Sequence, residues 1–110
     1  MLDLFIFVYN FLNSKITKKG SLVPIISYFF GIYIRMYHDD HPPMHIHVEY
    51  QGHIALVGIQ DAQIIKGSLP KKAYNLVKEW IFEHQEELYA DWELAQRFEP
   101  LQKIAGADND

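Results

Sequence analysis

Pro42 and Pro43 constrain this chain more than any other pair of residues. They sit in the stretch HDDHPPMHIHVEYQG, from His38 to Gly52. Proline gives no N–H to a sheet ladder and restricts the residue before it, so no regular strand or helix runs through the pair. The flanks are rich in β-branched and aromatic residues, which favour strands. The chain therefore enters the prolines as one extended segment and leaves as another, with Asp39 to Pro43 as the turn.

Before the turn, Ile25 to His38 reads as strand. Its even positions, Ile26, Tyr28, Phe30, Ile32, Ile34 and Met36, form an apolar face; Ser27, Phe29, Gly31, Tyr33, Arg35 and Tyr37 alternate with them. A bulge or bend at Gly31 would shift that phase. After the turn, His45 to Tyr50 is a strand and Gln51-Gly52 a hairpin turn. His53 to Ile59 is a third strand. Gln63 to Lys66 is a short fourth, after a turn near Gln60-Asp61. A two-residue hairpin loop pairs Glu49 with Ile54, His47 with Leu56 and His45 with Gly58.

Ser68 is the expected N-cap of a helical segment, with Pro70 in its first turn. Ala73, Leu76, Val77, Trp80, Ile81, His84, Leu88, Trp92 and Ala95 then recur at helical spacing. One helix over residues 69–98 would be roughly 45 Å long at 1.5 Å per residue, too long for so small a domain. A break near Glu86-Glu87 is expected. Lys71 and Lys72 in the first turn, with glutamates later, oppose the helix macrodipole and suit a solvated face. The expected fold is α+β: an antiparallel meander of three to four strands followed by C-terminal helices packed on one face.

At 110 residues the chain is long enough for one modest core. Residues 23–100 are expected to be that domain, and residues 101–110 a flexible tail. The chain has no cysteine, which excludes disulfides, thiolate metal sites and cysteine nucleophiles and is compatible with a reducing cytoplasm. The net charge is −4, so no broad cationic composition announces nucleic-acid binding. The apolar run from Leu2 to Leu12 carries Asp3 and Asn10 and is too short to span a bilayer, and its lysines come after it rather than before it as a signal peptide would require. Residues 1–22 read either as an amphipathic packing or membrane-surface helix or as an extension outside the domain. In the second case Val23 would be the true start, since a GTG codon can encode it and initiate translation.

Four of the six histidines fall between His38 and His47. On a strand, His45, His47 and Glu49 share one face, and Ile46, Val48 and Tyr50 the other. Two imidazoles and a carboxylate at that spacing can converge on a divalent transition metal, with His84, Asp39 or Asp40 as a further ligand. Acid–base chemistry is the alternative and needs no cofactor. His47 would be the base or acid, Glu49 would orient it, and Arg35 would grip a phosphate. Phe29, Tyr33 and Tyr37 supply rings on which bases stack. These are the parts of a small metal-independent ribonuclease. The plainest reading makes His45 and His47 hydrogen-bonded structural groups beside Trp80 and Trp92, and His38, His41 and His53 surface and turn residues.

Val23 to Ser27, Phe29 to Ile32, Arg35 to Tyr37, Asp40 to His47, Gly67 to Pro70, and Trp80, Glu87-Leu88 and Trp92 form a series of short motifs. In this order they resemble the bacterial domain of unknown function family 4160, over about residues 23–100. Met44 and Ile46 depart from the family pattern, which has proline and phenylalanine there; His45 and His47 match it. Genes of this family commonly lie beside those of domain of unknown function family 2442. The resemblance therefore implies one component of a toxin–antitoxin-like two-gene module, acting through a small cognate protein. Asp40 and His41 belong to the signature turn and, with Tyr33 and Tyr37, are candidate binding residues. If the chain is the toxin, RNA cleavage by Arg35, His45, His47 and Glu49 is the expected chemistry. A transcription-regulatory or interaction module is the further alternative.

Overall fold

The computed structural model describes residues 24–108, so the expectations for residues 1–22 and for Val23 lie outside the described residues. Five strands form one antiparallel sheet in chain order: β1 (Ile25–Phe29), β2 (Ile32–Arg35), β3 (His45–Tyr50), β4 (His53–Gly58) and β5 (Ile64–Gly67). Helices α1 (Lys71–Glu83) and α2 (Gln85–Gln96) come after the sheet. The architecture is the expected α+β meander, with one strand more than expected.

The additional strand arises because the segment before the prolines folds back on itself. Phe30 and Gly31 both take positive φ, 51° and 78°, and close a two-residue hairpin in which Phe29 pairs with Ile32. Gln51 and Gly52 do the same at 46° and 84°, joining β3 to β4. Tight hairpins favour positive φ at both central residues because that twist matches the strands. An aromatic residue in that conformation is rare, which hides the first turn in the sequence. The apolar face is re-phased accordingly. Phe29 is buried, whereas Tyr28 and Phe30, placed with the apolar face by simple alternation, are exposed.

The core lies between the sheet and the helices. Ile32, Ile34, Ile46, Val48, Ala55 and Val57 are fully buried in one apolar cluster with Ala73, Val77, Trp80, Ile81, Leu88 and Ala95. The Trp80 and Phe29 rings lie 5.1 Å apart within it. Ser68 is not the helix cap. Its amide donates to the Ile54 carbonyl, which continues the sheet ladder, and α1 starts behind Pro70 without a side-chain cap.

The helical segment breaks at His84, earlier than the expected Glu86-Glu87. The His84 amide donates to Ile81 rather than to Trp80, and the His84 ring takes the released carbonyl, Nδ1 to Trp80 O at 3.0 Å. Glu86 and Glu87 therefore stand in the first turn of α2, where the macrodipole favours them. Past α2, the chain expected to be a flexible tail packs along β1. Ile104 is buried and donates its amide to Ile26, and the Trp80 indole donates to the Ala105 carbonyl.

Candidate functional site

The loop between β2 and β3 builds the site. Asp39 turns it by adopting a positive φ of 56°. The His41 amide donates to Asp40 Oδ1 at 2.9 Å, fixing the carboxylate at its own turn. The other oxygen, Oδ2, lies 2.9 Å from His45 Nε2 and 3.1 Å from His47 Nε2. Alternation along β3 places both imidazoles on one face, and each residue is only 6% exposed. Tyr37 stacks on the His47 ring at 3.8 Å and 3°, while the Trp92 ring lies 5.5 Å from His45.

The contacts of His45 restrict how this junction can be protonated. His45 Nδ1 lies 2.7 Å from the Pro43 carbonyl, a contact that needs a proton on Nδ1. A neutral His45 would then turn a bare Nε2 lone pair toward a carboxylate oxygen. A proton on Nε2, making the ring an imidazolium, a proton on Asp40 that it donates to Nε2, or a metal ion between the two would each resolve that contact.

Without a metal, the electrostatics favour the imidazolium on His45 beside an ionised Asp40. Burial opposes charge on His45, but the Asp40 hydrogen bond, the Pro43 carbonyl and the Asp40 charge together raise its pKa. Burial lowers that of His47, and the charges of His45 and Arg35 reinforce this against the pull of Asp40. Burial also opposes ionisation of Asp40, yet hydrogen bonds from both imidazoles hold its carboxyl far below the usual range.

The same three groups suit a metal. One ligand atom from each of Asp40, His45 and His47 falls within 4.8 Å of the others. Ligands about 2.0–2.1 Å from a tetrahedral zinc stand roughly 3.3 Å apart, so slight widening of the present contacts admits the ion. With an ion bound there, the Pro43 carbonyl would hold the His45 ring with Nε2 turned toward it.

The other expected site residues lie around this group. Arg35 Nη1 bonds Glu49 Oε1 at 2.8 Å, so Glu49 meets the guanidinium, while Asp40 meets the imidazoles. The Arg35 guanidinium also lies 5.3 Å from the Tyr33 ring centre. His41 is exposed on the loop. His84 is remote from the group, at the α1–α2 break, with its Nε2 3.9 Å from Glu87. Trp92 packs beside the histidines as expected, whereas Trp80 packs on Phe29 and His84. The Pro43 carbonyl and Gln96, whose side-chain amide donates to the Asp40 carbonyl, carry no sequence signal, because one is backbone and the other comes from a distant helix.

Fold and site together define a class: a small antiparallel meander backed by two helices, with an Asp-His-His cluster at its proline turn. A family model described as Domain of unknown function (DUF4160) matches residues 31–93, more than half of the chain, and the chain belongs to that family. No curated protein and no solved structure matches it.

Proposed function

We propose that this protein binds a divalent transition metal through Asp40, His45 and His47. The observation that carries the reading is the convergence of two buried imidazole Nε2 atoms on one carboxylate oxygen, with His45 held from behind by the Pro43 carbonyl. Two nitrogens and one oxygen suit zinc, iron or manganese. Three protein ligands leave positions for water or substrate, as in catalytic rather than structural zinc sites, and a bound ion there would acidify water or polarise a phosphoryl oxygen. Metal content of untagged protein, purified under native conditions without chelator, tests this. About one ion per chain is expected in the wild type and almost none in His47→Gln. Substoichiometric metal that does not depend on His47 would refute it.

A second reading concerns the partner. A groove of about 460 Å³ opens between the β1–β2 hairpin and α1, lined by Phe30, Tyr50, Lys72, Ala73 and Leu76. Its exposed aromatic rim supports the toxin–antitoxin-like pairing with a small protein that the family resemblance implies. RNA cleavage is the form a toxin role would take. Asp40 rather than Glu49 would then orient His47, and Arg35 would exchange Glu49 for a phosphate. Expression alone and with the neighbouring gene tests the pairing. Growth arrest relieved by the neighbour, or co-purification that Phe30→Asp abolishes, is expected. Unchanged growth with no co-purification counts against it.

A further inference from the structure

The Asp40 loop is gripped by a helix more than fifty residues away in sequence. The Gln96 side-chain amide donates to the Asp40 carbonyl at 3.0 Å, and the Asp39 amide donates to the Ala95 carbonyl at 3.1 Å. The last turn of α2 thus bonds the residue that carries the carboxylate and the residue before it. Trp92, one turn earlier and on the same helix face as Gln96, packs on His45. One stripe of α2 therefore meets two of the three members of the cluster.

We propose that Gln96 is a positioning residue for the metal site, acting through the Asp40 backbone. This rests on the reading of Asp40, His45 and His47 as ligands. Asp39 takes a positive φ, which aspartate tolerates better than most residues, and its amide is held by the Ala95 carbonyl. The Gln96 bond holds that turn so that Oδ2 faces both imidazoles rather than solvent. Groups bonded directly to a metal's ligands tune affinity by about 10–100-fold, and Gln96, which acts through the Asp40 backbone, is expected at the lower end of that range. Gln96 lies outside the matched residues 31–93, so the site draws on a part of the chain that the family model does not reach.

Cobalt(II) titration of the untagged full chain tests the proposal, because the visible spectrum reports ligand geometry as well as affinity. Gln96→Glu and Gln96→Met both remove the donor at nearly constant size. Both are expected to weaken cobalt binding at least about ten-fold and to change the band shape, with little change in metal-free unfolding. Phe98→Ala is the control. It removes a ring that stacks near His38 at the same helix end and should leave the cobalt affinity unchanged. Wild-type affinity and spectrum in both Gln96 variants would overturn the positioning role. So would a loss of binding that merely tracks a loss of fold. Absence of cobalt binding in the wild type would instead bring down the metal reading, and this proposal with it.

Discussion

At Asp40 a single carboxylate oxygen serves two buried imidazoles, so removing it takes that partner from both Nε2 atoms at once. Asp40→Ala is expected to destabilise the fold by about 2 kcal/mol, the scale for hydrogen bonds to a charged group. Urea unfolding measures this, and a loss below about 0.5 kcal/mol would mean the cluster is already solvated. Asp91 on α2 offers a second residue-scale test. It is buried, one oxygen accepts the Gln102 amide, and the other has no hydrogen-bond partner among the described residues. Burial raises its pKa, with the nearby Glu87 adding to the shift and the Gln102 bond opposing it. The native state therefore holds this proton to higher pH than the unfolded chain does. Stability from Asp91 is greatest at low pH and falls as pH rises through the raised value. Asp91→Asn keeps an acceptor for Gln102 and is expected to flatten that fall and to be neutral or stabilising at pH 7. Equal pH dependence in variant and wild type would contradict this. At this scale the two histidines were legible, because strand alternation alone puts them together. Asp40 is only one of three further candidates in the sequence, beside Asp39 and His84, because the choice among them depends on the backbone turn at Asp39.

The elements repeat the pattern. The Gln51-Gly52 turn fixed the β3–β4 register in advance, and the observed pairs of Glu49, His47 and His45 with Ile54, Leu56 and Gly58 match it. A bulge or bend at Gly31 was expected, but a complete hairpin at Phe30-Gly31 was not, since phenylalanine carries no turn signal. The helix break moved from the glutamates to His84 because a ring nitrogen can replace the lost backbone donor. Gly67 closes β5 at a φ of 82°, and a methyl group there would collide with the Ile54 carbonyl oxygen. Gly67→Ala therefore meets both a disfavoured conformation and a backbone clash and should cost at least about 2–3 kcal/mol. A shift of the urea midpoint worth less than about 0.5 kcal/mol would show that β5 can move away.

Across the whole molecule, the segment after α2 is tied to β1 and α1, and the end of α2 is tied to the site. Ile104 bonds β1, Trp80 bonds Ala105, and Gln96 bonds the proline turn. None of these contacts has a periodic signature, since each joins one backbone group to a distant residue. A ligand held at the turn should therefore stabilise the entire fold. An ion at 100 times its dissociation constant adds about 2.7 kcal/mol by mass action. Calorimetric titration of zinc into metal-free, untagged protein tests the central claim most directly, with wild type and His47→Gln run side by side. Saturation at one ion per chain in the wild type, lost in the variant, is the expected result. No saturable binding, or the same isotherm in both proteins, would contradict the account.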